Sequence, residues 1–426
     1  MKESLFNIKL EKNGKYIIYN SLSSGMIALN KDYKQKFFEL SKSSFEKNAY
    51  EDLKKELIKG SMIVDNSEDE ISKLELYNSL SKFDNSFLSL TIAPTMKCNF
   101  DCIYCYEKGY RNNSMNEEVV NKTIDYIKNN IFDKKGLNIC WYGGEPLLAI
   151  KEIEYIYNHI VKYFPKEFHY NSHMVTNGYL LNKKMAQNLK SLQVNNVQIT
   201  LDGDKYTHDK RRYLINKQGT FDVILNNIKE VCDIIKISIR VNVDKTNENT
   251  LSNIMKILGE DVLKKVNIYI APVDNINDTF ENSLCMCNEE FSKVEINFIK
   301  DLLAIREGIS IPPVNISGCG ANSCNSFVLD PLGDLYKCWN HIGQEKNKVG
   351  SLKDGIFINE TYKKFVLKDN LDKKCKSCNI LPLCYGGCSD KYRDEVKIEQ
   401  RCRTYKYNIN EYINLFIESK LNTDVV

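Results

Sequence analysis

An α/β fold is predicted, with an open array of alternating strands and helices set between a small N-terminal unit and a cysteine-rich C-terminal one. Three observations predict it. Six strand-like runs alternate with helix-like runs from Phe87 onward. A hairpin signal precedes that alternation, near the N-terminus. From about Ile309 the alternation stops and cysteine and glycine become dense. The parts are expected at residues 1–85, 86–308 and 309–426.

In the first unit, Leu5–Leu10 and Lys15–Tyr19 read as strands around Asn13-Gly14, a dipeptide that suits a two-residue hairpin turn because both positions need positive φ. A short strand, Met26–Leu29, follows Ser24-Gly25. Helix-like stretches come next at Asp32–Lys42 and Tyr50–Lys59, then an acidic amphipathic stretch from Ser67 to Lys82. Three small strands followed by helices predict a winged-helix-like module. The alternative is a plain extension packed on the main domain.

The strands of the second unit are expected at Phe87–Ala93, Leu137–Tyr142, His169–Val175, Val197–Leu201, Lys236–Val243 and Val266–Ala271. Helices are expected between them at Asn116–Asn130, Lys151–Tyr163, Lys183–Leu192, Phe221–Ile234 and Thr250–Gly259. Ser114-Met115-Asn116-Glu117 reads as a capping box opening the first. Near-continuous apolar strands imply a parallel sheet covered by helices. Six repeats fall short of the eight that close such a barrel, so a partial (β/α)6 TIM barrel is expected. The third unit ends in a helical tail, Thr404–Lys420.

Composition agrees with a folded chain. In 426 residues, 42% are hydrophobic and 27% charged, which excludes disordered and fibrous classes. No apolar run approaches the roughly 18 residues of a membrane span, and no signal-peptide core follows the first residues. With 59 basic and 56 acidic residues, no bulk field draws in nucleic acid or membrane, and neither is expected as a partner. Fifteen cysteines are the outlier. Disulfide frameworks belong to small scaffolds in oxidising compartments, so metal ligation is the default reading and a cytoplasmic location is expected.

The first strand runs into Cys98-Asn-Phe-Asp-Cys102-Ile-Tyr-Cys105, a C-x3-C-x2-C spacing. Three thiolates on one loop do not complete a tetrahedral sulfur shell. A [4Fe–4S] cluster held by three cysteines keeps one iron open, and an open iron is a binding site. The spacing resembles the signature of the radical S-adenosylmethionine superfamily, and the loop stands where such barrels place their chemistry. The resemblance implies that the open iron chelates the amino and carboxylate groups of S-adenosylmethionine. It further implies that reductive cleavage yields a 5′-deoxyadenosyl radical that abstracts a substrate hydrogen. A zinc knuckle with Cys140 or another residue as fourth ligand is the competing reading.

Further motifs stand at strand ends. Gly143-Gly144-Glu145 closes the second strand and resembles the superfamily's GGE motif. By that resemblance Glu145 accepts from the cofactor's ammonium group, while the two glycines permit close backbone approach. Thr176, with Asn177-Gly178, ends the third strand. Thr200 and Asp202 end the fourth, with His208-Asp209-Lys210-Arg211-Arg212 close behind; these segments resemble those that line the pocket. Arg240 and Asn242 share a strand face because side chains alternate with a period of two, and an inward Arg240 can clamp a carboxylate. Tyr104, between two of the cysteines, stands where relatives place an aromatic near the adenine.

The C-terminal third carries Cys319, Cys324, Cys338, Cys375, Cys378, Cys384, Cys388 and Cys402, enough thiols for two four-sulfur shells. Their order resembles the SPASM domain, an auxiliary iron–sulfur extension of radical S-adenosylmethionine enzymes that act on peptides and proteins. The resemblance assigns Cys319, Cys324, Cys338 and Cys388 to one cluster and Cys375, Cys378, Cys384 and Cys402 to another, making three [4Fe–4S] clusters in all. Spacing alone equally allows Cys384 and Cys388 to share one, and zinc ribbons compete. Cys140 and Cys232 read as core fillers, and Cys285 and Cys287 lie in a loop.

The whole resembles maturases of ribosomally made peptides, whose winged-helix-like element binds a leader peptide by adding a strand. The expected activity is hydrogen abstraction from a precursor peptide and closure of an intramolecular link, first of all a cysteine-derived thioether. An electron donor such as flavodoxin or ferredoxin is the second expected partner. Carbon–carbon or ether crosslinking, epimerisation and anaerobic sulfatase maturation are the alternatives. The last is disfavoured because relatives of that kind carry an Asp directly after the G-x4-C cysteine, where this chain has Trp339 and then Asn340.

Overall fold

The structure is a computed structural model that describes residues 1–42, 50–110, 112–306, 308–367, 371–393 and 398–421. Strands β1 (Lys2–Glu3), β2 (Asn7–Lys12), β3 (Lys15–Asn20), β4 (Met26–Leu29) and β5 (Ile63–Val64) belong to the N-terminal unit. There β2, β3 and β4 form an antiparallel sheet in that order, and β1 pairs with β5. The turn from β2 to β3 has φ of 51° at Asn13 and 71° at Gly14, the left-handed pair that matches strand twist. Helices Lys31–Leu40, Glu51–Lys59 and Glu70–Lys82 follow.

Six parallel strands come next: β6 (Phe87–Ile92), β7 (Gly136–Trp141), β8 (His169–Thr176), β9 (Val194–Thr200), β10 (Lys236–Val243) and β11 (Asn267–Pro272), paired in sequence order. Their alternation sorts the chain by polarity. In β10, Ile237, Ile239, Val241 and Val243 are buried against the helices, leaving Ser238, Arg240 and Asn242 for the other face. Apolar residues thus build the sheet–helix layer and polar ones line the barrel's hollow.

The sheet does not stop where the alternation stops. Strands β12 (Ser326–Leu329), β13 (Asp334–Tyr336), β14 (Gly350–Ser351) and β15 (Gly355–Ile356) extend it to ten, with β12 parallel to β6. The order runs β11-β10-β9-β8-β7-β6-β12-β13-β14-β15, an open sheet. A run of four residues between loops carries too weak a pattern to announce β12 in the sequence.

Two helical expectations are corrected. The helix Glu117–Asn130 is capped by Asn116, whose side chain accepts from Val119 N at 2.9 Å, while Ser114 Oγ lies 2.7 Å from Thr95 Oγ1. The Ser114 capping box is therefore not formed, because Ser114 is held in a bridge to the loop after β6. The sixth barrel helix, Asn288–Leu303, was not expected. Its cap is Cys287, which accepts from Glu290 N at 3.4 Å while Cys287 N donates to Glu290 Oε2 at 2.9 Å. A thiol in place of the usual hydroxyl or carboxylate conceals the start signal.

The N-terminal unit packs on the C-terminal region. Phe6 and Leu74 bury against Leu371, Cys375, Leu381 and Tyr385, and Ile8 and Tyr19 against Ile380, Leu383, Ile409 and Ile413. Lys12 pairs with Glu418 at 2.6 Å, on the final helix Tyr405–Leu421. Among the described residues, no helix is long and apolar enough to cross a membrane.

Candidate active site

At the carboxyl ends of the barrel strands lies a cavity of about 430 Å³, walled by Cys98, Cys102 and Cys105 together with residues of every barrel strand end from β7 to β11. The cysteine loop is laid in place by backbone bonds to the segment after β9. Asp101 N donates to Tyr213 O at 2.9 Å, Ile103 N to Arg211 O at 3.0 Å and Ile215 N to Asn99 O at 3.1 Å. Asn177 Nδ2 adds a bond to Asn99 Oδ1 at 2.7 Å and approaches Cys98 Sγ at 4.0 Å. Cys102 is buried, and Cys98 and Cys105 half-buried.

Gly143 and Gly144 line this cavity, and the backbone they approach closely is the protein's own. A Cβ on Gly143 would stand 2.3 Å from Thr95 O, and one on Gly144 would stand 2.4 Å from Met96 O and from Lys97 O. Gly143 also holds φ of 112°. The pair therefore lets the β7 end lean on the stretch that feeds into Cys98. Glu145 is fully buried behind it. Its carboxylate accepts from Thr176 Oγ1 at 2.7 Å, Asn177 N at 2.7 Å and Leu147 N at 3.0 Å. Burial pushes its carboxyl up, while these three donors pull it down. Glu145 thus couples the ends of β7 and β8 from beneath the cavity wall.

Tyr104 is the hub of the opposite wall. Its hydroxyl donates to Asp202, and accepts from Arg212 Nη1 at 3.0 Å and Asn242 Nδ2 at 3.1 Å. Asp202, with no exposed surface, also takes Asn242 N at 2.9 Å. Arg211 bridges Asp202, at 3.4 Å, and Asp244, at 2.6 Å, with both carboxylates buried. His208 accepts from Asp202 N at 3.1 Å and faces Thr220 Oγ1 at 3.1 Å, and burial drives its imidazole to the neutral form. Asp209 caps the next helix through Thr220 N at 2.8 Å and Phe221 N at 2.9 Å. Thr176, Thr200, Arg240 and Asn242 all line the cavity; Arg240 Nε donates to Asn242 Oδ1 at 2.7 Å.

Further side chains complete the wall. Gln198 and Tyr269 line the cavity and share a hydrogen bond of 2.6 Å. Their signal was the two-residue alternation that places Gln198 on one face with Thr200. Tyr106 and Tyr142 share a hydroxyl contact, and Trp339 stacks on Tyr142. Asp274, at the end of β11, pairs with Lys391 of the C-terminal region at 2.9 Å. The Tyr142–Trp339 and Asp274–Lys391 contacts cross between units, and no local pattern records them.

The C-terminal thiols fall into two neighbourhoods. Cys402 is pushed up to about 11, by burial first and then by Cys384, Cys375 and Cys378. Cys338 is raised by burial, with Asp390, Cys319 and Cys388 adding to it. Cys324 shares an apolar cluster with Cys338 around Ala321, Phe365 and Val366. Lys337, pushed down to about 7 by burial, feels both Cys324 and Cys319. Cys384 and Cys388 thus stand in different neighbourhoods, although four residues apart in sequence. Among the described residues, no three His, Cys, Asp or Glu side chains converge tightly enough to hold one metal ion between them. Cys140 is buried in the core, its thiol pushed up to about 12, and Cys285 Sγ contacts Glu281 O at 3.8 Å.

The fold is an open α/β barrel with a polar-lined cavity at the carboxyl ends of its strands, the place where barrels of this kind hold their ligands. Residues 92–258 match the Radical SAM superfamily. The cysteine-type anaerobic sulfatase-maturating enzyme of Clostridium novyi (strain NT) is 31% identical over 344 residues, covering 71% of this chain and 87% of that one. Native anSMEcpe with bound AdoMet and Kp18Cys peptide superposes with a TM-score of 0.63 at 21% identity, over 78% of this chain and 99% of that chain. Streptococcus suis SuiB bound to precursor peptide SuiA superposes with a TM-score of 0.54 at 15% identity, over 94% of this chain and 98% of that chain. The chain belongs to the radical SAM superfamily, with an auxiliary, SPASM-like C-terminal region, and is an oxidoreductase of that superfamily.

Proposed function

We propose that the protein oxidises a residue of a peptide or protein substrate by radical S-adenosylmethionine chemistry. The observation that carries this reading is the sharing of one cavity by Cys98, Cys102 and Cys105 with the inward polar residues of the barrel. Three soft thiols, with no fourth among the described residues of the same wall, are a donor set suited to an iron–sulfur cluster with one open iron. When bound, such a cluster with S-adenosylmethionine supplies one-electron cleavage of the sulfonium and a carbon radical able to take a hydrogen atom. This chain's residues do the rest. Arg240 offers its guanidinium to a carboxylate, Thr176 and Thr200 offer hydroxyls, and Tyr104 presents its ring. Glu145 and Asp202 hold the strand ends that carry those groups. The two C-terminal thiol neighbourhoods suit auxiliary clusters, which would take up the electron left on the substrate, with residues 309–426 as their domain and residues 1–85 as a substrate-binding unit.

Of the finer readings, oxidation of a cysteine side chain in a protein substrate has the stronger support. It rests on sequence relatives: the Clostridium novyi enzyme, and a cysteine-type anaerobic sulfatase-maturating enzyme of Clostridium perfringens (strain 13 / Type A), which is 24% identical over 362 residues. Thioether formation in a ribosomally made peptide, the first expectation from sequence, takes second place. Trp339 favours it by standing where a carboxylate base would be needed, and the likeness to SuiB extends over the N-terminal unit as well. The test is anaerobic incubation of the iron-loaded protein with S-adenosylmethionine and either a sulfatase peptide bearing one cysteine or a cysteine-rich precursor. A hydrazine-trapped side-chain aldehyde on the first supports cysteine oxidation. Loss of two hydrogen masses from the second, with a thiol blocked, supports the crosslink. Cofactor cleavage with neither peptide altered overturns both.

A further inference from the structure

Positive charge is concentrated around one of the two C-terminal thiol neighbourhoods. Lys373, Lys374 and Lys376 surround Cys375 on its one-turn helix, and all three are exposed. Arg403 and Lys406, also exposed, flank the same group from the start of the last helix. Lys406 Nζ lies 3.7 Å from Cys378 Sγ and its charge is felt at Cys402, while that of Arg403 is felt at Cys384. Glu75 engages Lys376 at 2.6 Å, and Asp372 caps the helix through Lys374 N at 2.9 Å. Five cations beside one group of thiols stand out in a chain whose 59 basic residues are nearly balanced by 56 acidic ones.

The neighbourhood is also lopsided. Cys375 and Cys384 are buried, Cys375 beneath the apolar cover of Phe6, Leu74, Leu381 and Tyr385. Cys378 and Cys402 are half-buried, on the side where Lys406 stands. The group is thus sealed by apolar side chains on one side and approachable across a cationic surface on the other. Weak, fast encounters between electron-transfer proteins use small, charge-complementary faces of this kind, and opposite charge raises their association rate.

We infer that the surface bearing Lys373, Lys374, Lys376, Arg403 and Lys406 docks an acidic one-electron carrier protein, which exchanges electrons with the centre held by Cys375, Cys378, Cys384 and Cys402. The inference rests on the reading above that these four thiols hold an iron–sulfur cluster. In the direction tested, the carrier loses one electron and the centre gains it, with no bond made or broken.

The experiment uses the anaerobic, iron-loaded full chain and a reduced, net-negative flavodoxin as probe. Bleaching of the iron–sulfur absorbance is followed by stopped flow between about 25 and 400 mM salt, a range over which screening shortens several-fold. The wild-type rate should fall at least tenfold across that range. The pair Lys373→Glu/Lys374→Glu should slow the low-salt rate at least tenfold and flatten its salt dependence, with reduction by dithionite unchanged. Reversal of Lys162 and Lys166, exposed after the barrel helix Ile150–Ile160, should change nothing. Carbodiimide crosslinks from flavodoxin carboxylates should map to Lys373, Lys374 or Lys406. An unchanged rate in the reversed pair, or crosslinks confined to other surfaces, overturns the inference. If that pair loses iron, Lys373→Gln/Lys374→Gln is measured instead, with about threefold slowing expected and an unchanged rate overturning it. Failure of the cluster reading shows separately, as a Cys378→Ala protein with undiminished iron.

Discussion

Tyr142, at the end of the second barrel strand, stacks on Trp339, the residue that follows Cys338, with ring centroids 5.6 Å apart and planes 20° from parallel. One ring belongs to the barrel and the other to the cysteine-rich region. Trp339 is 45% exposed, so the stack forms a wall that a substrate can touch rather than a buried clasp. It also brings the cavity within one residue of an auxiliary thiol.

Removing that wall tests its part in substrate binding. An aromatic contact made by Trp339 to the bound peptide would contribute about 0.5–1.5 kcal/mol beyond the area it buries. Trp339→Ala is expected to raise the KM for the peptide about threefold to tenfold, measured by mass spectrometry of the modified product. An unchanged KM would remove Trp339 from the substrate surface.

Each thiol of the first loop should be indispensable. Cys98→Ala, Cys102→Ala and Cys105→Ala should each abolish 5′-deoxyadenosine formation, read by chromatography. A single variant cleaving S-adenosylmethionine at the wild-type rate would displace the assignment of the loop.

Arg211 is 3% exposed and compensates two fully buried carboxylates, Asp202 and Asp244. Replacing it by Leu leaves Asp244 without its cation and Asp202 with only the less direct Arg212; breaking a buried ion pair typically costs about 3–5 kcal/mol. Urea unfolding of Arg211→Leu should show a loss of this size; a loss below about 1 kcal/mol would mean that the backbone donors around Asp244 suffice.

Asp330 supplies a pH signature. Burial, with Asp334 nearby, pushes its carboxyl up from 3.8 to about 6. The folded chain therefore binds this proton more tightly than the unfolded one. The group favours folding below about pH 4, and that contribution is lost as pH rises through 6. The difference is about 3 kcal/mol at most. Asp330→Asn can keep the bonds from Leu332 N and Asp334 N, both 2.9 Å. It should raise Tm at pH 7 and leave Tm at pH 4 nearly unchanged; a parallel shift at both would contradict this origin.

Deletion of residues 1–85 should do more than weaken peptide binding. Phe6, Ile8, Tyr19 and Leu74 cover the neighbourhood of Cys375 and Leu383. Without them the truncated chain is expected to lose iron and melt lower, by iron assay and calorimetry. Full iron and an unaltered melt would make the unit a freely separable appendage.

The barrel strands were legible because each is an apolar run between helical patterns, and their observed bounds fall within three residues of those expected. The Asn13-Gly14 turn was legible because few dipeptides tolerate two positive φ values in succession. The helix Asn288–Leu303 was not, since a Cys cap carries no recognised signal. The Arg211 bridge, the Gln198–Tyr269 bond and the Asp274–Lys391 pair were not either, because each joins residues from separate elements.

By itself, the sequence determined which residues can carry the chemistry: thiols at ligand spacing, glycines and polar residues at strand ends, and an inward polar face. Those properties are local, and side-chain period and residue type express them directly. Only the tertiary structure decided where those residues stand. It set Glu145 behind the wall as a brace, parted Cys384 from Cys388 into different neighbourhoods, and laid the N-terminal unit on the C-terminal region. The physical reason is that burial and long-range packing depend on what every other element covers, and no short stretch of chain contains that information.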